Sequence, residues 1–315
     1  MKQRTITAIV LLAIFLPLLI VEELFLLFQV LMLVLCVIAS TEMIRLFEQK
    51  KKFKPLIKWV IVIASALIYM SALTEWANFA QDNIEESFST HTLELLNLKI
   101  GFLPMLLLVV VVLFALMVFC NGFDGEDIGK ALTCICYTGL CFAAFTILRF
   151  LGLRYIVYLF LTTSLTDVFA YLGGSKFGKH KMCPKISPHK SWEGAIIGSL
   201  VAVLISTVFA FCYGHLFKGH IFNPDGLSTL FSGGAVFWRG GIDDLSKPLQ
   251  FFAILGITTF VSIAGQTGDL VASKLKRTYG LKDYGNIFPG HGGVLDRLDS
   301  AIYAALSLLM LFVLL

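Results

Sequence analysis

Long apolar stretches recur along this chain and constrain its fold more than any other feature. Of the 315 residues, 57% are hydrophobic and only 15% are charged, which is more apolar surface than one water-soluble core can cover. A helix needs about 20 mostly apolar residues to cross the hydrocarbon layer of a bilayer. The sequence therefore predicts an all-α, polytopic membrane protein.

Hydropathy predicts about nine transmembrane helices. Their expected ranges are 5–22, 24–40, 57–74, 101–120, 129–149, 154–172, 194–215, 250–270 and 299–315. The first range follows two basic residues, as in a secretory signal, but it runs into a second apolar stretch without a small-residue cleavage site, so we expect it to be retained. No repeat or linker interrupts the chain, which favours a single membrane domain over 1–315, with N-terminal helices in 1–150 and catalytic helices and loops in 151–315.

The distribution of Lys and Arg predicts how the helices are oriented. Basic residues are concentrated at the N-terminus and in the segments 45–58, 176–190 and 274–297. The positive-inside rule places such segments in the cytoplasm, which puts the N-terminus there as well. Segment 121–130 fits less well, because it is expected on the same side and yet holds three acidic residues. The formal net charge of +4 is too small to indicate a nucleic-acid partner.

The densest polar segment of the chain lies at residues 265–299. Asp269 falls within the eighth predicted span, where an ionisable group without a partner is costly. If that helix continues, Ser273, Lys276 and Arg277 follow on the same face. A carboxylate beside basic groups suits Mg²⁺ held next to phosphate oxygens. A capping salt bridge, with the basic residues anchored to lipid head groups, is an equally open interpretation.

A glycine-rich turn and two further aspartates complete this segment. The sequence Pro-Gly-His-Gly-Gly at 289–293 either forms a tight turn or brings backbone amides close to an anion. Asp296 and Asp299 share one face of the last predicted helix, with Arg297 between them. Together with Asp269, they are suited to a carboxylate cluster of the kind used in phosphoryl or nucleotidyl transfer.

A second polar segment lies at residues 166–194. Asp167 is within an apolar span, and the glycine- and lysine-rich stretch 173–179 is interpreted as a flexible basic loop around a triphosphate, although it lacks the Walker A spacing. Four polar residues then stand at the start of the seventh span: Ser187, Lys190, Ser191 and Glu193. Capping of that helix and catalysis are both open interpretations for them.

In these two segments the chain resembles the bacterial phosphatidate cytidylyltransferases, also called CDP-diacylglycerol synthases. The C-terminal signature of that family is matched at Ser273, Lys276, Arg277, Lys282, Asp283, Gly285, His291, Gly292, Gly293, Asp296, Arg297 and Asp299. The upstream pattern is matched at Asp167, Ala170, Tyr171, Gly173, Gly174, Ser187, Pro188, Lys190, Ser191, Glu193 and Gly194. His189 departs from it, since many members have lysine there, and segment 216–249 is long for the family.

The resemblance implies an enzyme that makes CDP-diacylglycerol and pyrophosphate from CTP and phosphatidate. It implies a multi-pass protein of the cell inner (cytoplasmic) membrane, surrounded by membrane lipids, with the active site facing the cytoplasm. Mg²⁺ would be held by Asp269, Asp296 and Asp299, with Asp167 as a further candidate and a second metal ion left open. The catalytic set would be Asp269, Asp296, Asp299, Lys276, Arg277 and Arg297. The substrate-binding set would be Ser187, Lys190, Ser191, Glu193, Ser273, Lys282, His291, Gly292 and Gly293. A homodimer is one open alternative for the oligomeric state.

Two other functions remain alternatives at this point. A CTP-dependent polyprenol or dolichol kinase also needs a basic, metal-binding membrane face, although the combination of His-Gly-Gly with Asp-Arg-x-Asp at 291–299 speaks against it. A transporter also places aspartates within spans. Here, however, the charges gather near one end of the spans instead of at mid-bilayer.

Overall fold

The computed structural model describes residues 13–83, 100–218, 223, 226–232, 242–288 and 292–314, and for residues 77–83 it describes the backbone only. Helix makes up 79% of these described residues, and the strands among them form one short hairpin. The prediction of an all-α membrane protein is therefore confirmed.

Besides the helical residues 13–20, the described part of the chain contains nine helices, with a hairpin between the sixth and the seventh. The helices are α1 (Phe25–Phe47), α2 (Pro55–Asn83), α3 (Phe102–Phe119), α4 (Gly125–Cys134), α5 (Cys141–Leu151), α6 (Leu153–Phe177), α7 (Trp192–Phe211), α8 (Lys247–Thr278) and α9 (Leu295–Leu314). A π-helical turn, Ile135–Leu140, joins α4 to α5. Short helical turns occur at Glu22–Leu24, Tyr213–Leu216 and Ile242–Asp244. In the hairpin, β1 (Lys181–Cys183) pairs antiparallel with β2 (Ser187–Ser191).

Eight segments among the described residues are long and apolar enough to cross a membrane. They are Glu22–Phe47, Pro55–Trp76, Phe102–Phe119, Gly125–Leu151, Leu153–Phe177, Trp192–Phe211, Lys247–Thr278 and Leu295–Leu314. Each one overlaps a range that hydropathy predicts. In the remaining predicted range, 5–22, residues 5–12 lie outside the described residues, and residues 13–20 are helical. The total of nine spans and the orientation of the N-terminus stay predictions.

The fold divides into two compact units, each built from two pieces of the chain. The first unit comprises Met1–Ile147 and Leu275–Leu298, and the second comprises Leu148–Lys274 and Asp299–Leu315. Helices α8 and α9 each contribute residues to both units. The single membrane domain expected over 1–315 stays a prediction.

In the first unit, buried polar contacts hold α1 against its neighbours. Ser40 Oγ lies 2.8 Å from Thr138 Oγ1 in the π-helical turn, and the Tyr69 hydroxyl donates a 3.0 Å hydrogen bond to the Gln29 carbonyl. Within an apolar interior a polar group without a partner is costly, so such pairs favour one rotation of a helix over others. The face that α1 presents to the rest of this unit is therefore well defined.

The acidic segment 121–130 is explained by an ion-pair network in the first unit. Lys51 Nζ lies 2.7 Å from Asp124 Oδ2 and 2.5 Å from Asp127 Oδ2, and Lys130 Nζ lies 3.1 Å from Asp127 Oδ1. Asp124 and Asp127 also form a capping box at the start of α4. The two carboxylates raise the pKa of Lys51, and Lys51 lowers the pKa of Asp124. The loops that follow α1 and α3 therefore meet at one end of this unit.

In the second unit, small residues bring α6 and α7 into close contact. A β-carbon on Gly198 would lie 2.6 Å from the Thr166 carbonyl oxygen, and one on Gly194 would lie 2.6 Å from the Ala170 carbonyl oxygen. Such glycines let two membrane helices approach at backbone distance. The prediction of a flexible loop from residue 173 is wrong for 173–177, which are the last turns of α6. Their glycines serve helix packing, since Gly173 faces α7 as well.

Candidate active site

The start of α7 is tied to the hairpin by two of the predicted substrate-binding residues. Ser191 Oγ accepts a 3.2 Å hydrogen bond from the Gly194 N–H, so its interpretation as a helix cap is confirmed. The Glu193 carboxylate accepts hydrogen bonds from the backbone N–H groups of Lys179 and His180, at 3.2 and 3.1 Å. These contacts hold the segment that leads from α6 into the hairpin.

A cluster of charged residues joins the hairpin to α8 in the second unit. Lys190 Nζ lies 2.5 Å from Asp269 Oδ2, and Ser273 Oγ donates a 3.3 Å hydrogen bond to Asp269 Oδ1. Asp167 on α6 interacts electrostatically with both Lys190 and Asp269. Helix α8 continues to Thr278, so the condition under which Asp269, Ser273 and Lys276 share one face is met.

A second cluster is organised around Asp296 in the first unit. Its Oδ1 accepts a 2.8 Å hydrogen bond from Lys276 Nζ, and its Oδ2 accepts from the N–H groups of Tyr284 and Gly293, at 2.8 and 2.9 Å. The Lys276 ammonium also lies 5.2 Å from the centroid of the Tyr284 ring. Only 5% of the Asp296 side chain is exposed. This carboxylate therefore links the end of α8, the following loop and the start of α9.

Glu42 is a buried residue of this cluster that the sequence analysis missed. Its carboxylate on α1 accepts hydrogen bonds from the N–H groups of Val294 and Leu295, at 3.0 and 3.1 Å. Gly285 and Gly293 lie so close that a β-carbon on either would overlap the Glu42 carboxylate. Hydropathy ended the second predicted span at residue 40, just before Glu42. An acidic residue at the end of an apolar run was the available signal.

The remaining predicted site residues are placed as follows. Arg277 Nη1 donates a 3.2 Å hydrogen bond to the Leu281 carbonyl, and Asp299 Oδ1 accepts a 2.8 Å hydrogen bond from the Ser300 N–H. Gly292 has a φ of +89°, which favours glycine, and its carbonyl accepts from the Phe288 N–H. Three residues are partly or fully exposed: Ser187, Lys282 and Arg297. His291 lies outside the described residues.

Comparison with known proteins decides the family. The sequence model of the cytidylyltransferase family matches residues 2–315. This chain belongs to the cytidylyltransferase family. The resemblance inferred from the motifs is thereby confirmed, and the match extends through the N-terminal helices, where the motifs gave no indication.

Individual relatives of this cytidylyltransferase carry a more specific name. It is 32% identical to the phosphatidate cytidylyltransferase of Bacillus subtilis strain 168 over 307 residues, which cover 96% of this chain and 94% of the relative. It is 32% identical over 304 residues to that of Staphylococcus epidermidis, covering 96% and 95%. The match to that of Staphylococcus haemolyticus has 37% identity over 183 residues, or 58% of each chain.

The carboxylates of this cytidylyltransferase differ in their capacity to hold a metal ion. Among the described residues, no three His, Cys, Asp or Glu side chains form a group that could hold one. Asp269 is 33% exposed, and carboxylate oxygens of this kind are the ligands that Mg²⁺ prefers. Asp296 Oδ2 already accepts two N–H groups, so only its Oδ1 has capacity for a further partner. Of these two predicted ligands, Asp269 therefore has the more accessible carboxylate.

Proposed function

We propose that this chain is a phosphatidate cytidylyltransferase, which joins CTP and phosphatidate to give CDP-diacylglycerol and pyrophosphate in phospholipid synthesis. The observation that carries the proposal is a pair of lysine–carboxylate contacts at motif positions of a membrane protein: Lys190 with Asp269, and Lys276 with Asp296. Full-length similarity to relatives of that name supports it.

The reaction requires charge neutralisation more than proton transfer. A phosphatidate phosphate oxygen attacks the α-phosphorus of CTP, the bond from that phosphorus to the bridging oxygen breaks, and pyrophosphate leaves with the electron pair. The attacking oxygen is already anionic, so a strong general base is not needed. Catalysis then depends on holding two anionic substrates together and in line, which lysine and arginine side chains favour.

For the metal, we propose Mg²⁺ ligation by Asp269 together with Asp167, with Asp296 contributing through Oδ1 and Asp299 supporting a second ion or the water shell. When bound, Mg²⁺ neutralises negative charge on phosphate oxygens as a Lewis acid. The proposal is supported by the donor chemistry and by the exposure of Asp269. Convergence of Asp269 and Asp296 on one cation stays a prediction.

For the substrates, we propose that basic side chains hold the phosphate oxygens of CTP and phosphatidate: Lys190, Lys276, Arg277, Arg297 and Lys282. Ser187 and Ser273 would add hydrogen bonds, and His291 and Gly292 would contribute backbone amides. Ser191 and Glu193 would act by holding the hairpin that carries Lys190. Ser191 accepts from the Gly194 N–H, and Glu193 contacts the N–H groups of Lys179 and His180 as well as the His180 ring.

We further propose that the enzyme lies in the cytoplasmic (inner) membrane, with its active site at the cytoplasmic face. The concentration of Lys and Arg in the segments 45–58, 176–190 and 274–297 supports this orientation. The contact of Lys51 with Asp124 supports a common side for the loops after α1 and α3. The homodimer stays a prediction.

Product analysis tests the reaction directly. The purified protein in detergent would be given Mg²⁺, phosphatidate and CTP labelled at either the α- or the γ-phosphate. We expect the α-label in CDP-diacylglycerol and the γ-label in pyrophosphate, in equal amounts. Transfer of the γ-label to lipid with release of CDP would identify a kinase, and uptake into liposomes without a lipid product would identify a transporter. Either result would overturn the proposed function.

A further inference from the structure

We propose that Glu42 is a positioning residue for this reaction. It holds the described parts of the loop between α8 and α9, residues 284–288 and 292–295, so that Asp296 and Lys276 stay in place. The inference rests on the proposed function, because it takes this loop to be part of the active site. It concerns a residue of the N-terminal half, outside both motif segments.

The first argument is that Glu42 caps the N-terminus of α9. A helix leaves its first N–H groups without partners inside the helix, and these are usually accepted by a side chain close in sequence. Here the N–H groups of Val294 and Leu295 are accepted one each by Oε1 and Oε2 of Glu42, which is about 250 residues away. A carboxylate is favoured there by the helix dipole as well. Glu42 thus fixes where α9 begins.

The second argument is that the carboxylates of Asp296 and Glu42 accept hydrogen bonds from different backbone N–H groups. Three consecutive N–H groups, those of Gly293, Val294 and Leu295, are all accepted, the first by Asp296 and the other two by Glu42. Asp296 also accepts from Tyr284 at the other end of the loop. Because Glu42 accepts the other two N–H groups, the Asp296 carboxylate is left to bind Lys276 and the N–H groups of Tyr284 and Gly293. Without Glu42, buried N–H groups would lose their acceptors and the start of the helix would shift.

The third argument is that two glycines leave space for the buried Glu42 carboxylate. The residue is 5% exposed, and a buried carboxylate is tolerated only with good hydrogen-bond partners. Gly285 and Gly293 make the room, because any side chain on either would meet the carboxylate. The lack of a side chain at these two signature positions is therefore explained by Glu42.

The fourth argument is that α1 is a firm support. Ser40, two residues before Glu42, is held to Thr138 by a 2.8 Å hydrogen bond. At the end of the same helix, the ring of Phe47 packs against that of Tyr279 with centroids 5.2 Å apart. Helix α1 therefore contacts the turn after α8 as well as the start of α9. The ion pair of Lys276 with Asp296 joins the end of α8 to the start of α9.

The experiment compares Glu42→Gln and Glu42→Asp with Glu48→Gln in the full-length protein in detergent. Glutamine keeps the volume of Glu42 but turns one acceptor into an NH₂ group that faces a backbone N–H. Aspartate keeps both acceptors with a shorter reach. Glu48 is a matched control, because it lies next to the end of α1 and contacts Lys58 and the Phe53 N–H.

For Glu42→Gln, we expect kcat to fall about 10- to 100-fold with the apparent KM for CTP changed less than about threefold, as for a misplaced catalytic group. Deuterium exchange of the amides in 284–295 should become faster, while exchange in α6 and α7 stays unchanged. Glu42→Asp should recover part of kcat, and it carries the same test if the glutamine variant does not fold. Glu48→Gln should leave both kcat and the amide exchange of 284–295 unchanged.

The outcomes separate this inference from the proposed function. Normal kcat with normal exchange in 284–295 would overturn the positioning role and leave the proposed function intact. Faster exchange throughout the protein would show general destabilisation and would also overturn it. Faster exchange confined to 284–295 with normal kcat would show that this loop is outside the active site, which overturns the proposed location of the site. A wild-type protein that forms no CDP-diacylglycerol would overturn the proposed function itself.

Discussion

The ammonium group of Lys190 lies 2.5 Å from Oδ2 of Asp269, and this ion pair connects the hairpin to helix α8. The two side chains are 26% and 33% exposed, although the Lys190 ammonium nitrogen itself is buried. The pair therefore places a positive charge directly beside the carboxylate oxygens of a half-buried aspartate. Phosphate groups and metal ions need these two kinds of contact.

Replacing Asp269 by Asn should abolish most of the activity. The variant removes the charge that we propose for Mg²⁺ binding and leaves Lys190 without its acidic partner, so we expect the rate of CDP-diacylglycerol formation to fall on the order of 10²–10³-fold. The measurement is the initial rate in detergent as a function of Mg²⁺. Asp244→Asn, at an exposed position in a short helical turn, should retain the wild-type rate. A near-normal rate for Asp269→Asn would remove this residue from the metal site.

Replacing Lys282 by Gln tests a phosphate contact against a lipid anchor. If the exposed ammonium of Lys282 binds CTP phosphates, the variant should raise the apparent KM for CTP about tenfold with little change in kcat. Steady-state kinetics at saturating phosphatidate give both constants. Lys52→Gln, at another exposed lysine in the loop after α1, is the control. An unchanged KM would leave Lys282 as an anchor to lipid head groups.

Two glycines in membrane helices should respond oppositely to alanine. A β-carbon at Gly198 would lie 2.6 Å from the Thr166 carbonyl oxygen, whereas one at Gly256 would meet nothing within 4 Å. We expect Gly198→Ala to lower the free energy of unfolding by about 1–3 kcal/mol through overpacking of α6 against α7. Gly256→Ala should be neutral or raise it by up to about 1 kcal/mol. Thermal unfolding in one detergent compares the variants, and equal melting temperatures would contradict the close helix contact.

The network around Lys51 should give stability that depends on pH. Lys51 lowers the pKa of Asp124 in the folded protein, so the unfolded chain binds this proton at a higher pH than the folded chain does. The stabilisation is therefore present above the ordinary aspartate pKa of about 3.9 and is lost as the pH falls through the lowered value. Lys51→Met should melt at a lower temperature than the wild type at pH 7.

The difference in melting temperature between Lys51→Met and the wild type should begin to narrow below about pH 4, where Asp124 becomes protonated in the unfolded chain. It should narrow further as the pH falls through the lowered pKa of Asp124 in the folded wild type. Melting curves at pH 7, 5 and 3.5 measure the difference. Lys52→Met serves as the comparison, since Lys52 is exposed on the same loop. A difference that stays constant over this range would contradict the role of the ion pair.

Much of the architecture was predictable from the sequence because the bilayer imposes local requirements. A span needs about 20 apolar residues in a row, and this shows in the sequence without knowledge of any partner. The eight spans within the described residues were located in this way. The cap at Ser191 was one of two interpretations that the sequence left open, and it was visible because capping involves neighbouring residues. Hydropathy ended the eighth span at residue 270, whereas α8 continues to Thr278.

The motif also identified the family, but not what its residues contact. Spacing placed Asp296 among the metal ligands, whereas the structure shows it bound to Lys276 and to two backbone N–H groups. The stretch 173–177 was expected to be a loop because glycines favour turns in isolation. In the fold these glycines allow α6 to approach α7, and a close neighbour cannot be read from composition.

The sequence by itself determined that the chain spans a membrane and to which family it belongs, because hydropathy and motif spacing are properties of consecutive residues. Only the tertiary structure decided that Glu42 accepts the N–H groups at the start of α9, and that Lys51 neutralises the acidic loop. Both contacts join residues far apart in sequence. They depend on the rotation and the position of whole helices, which follow from the packing of many side chains together and not from any local pattern.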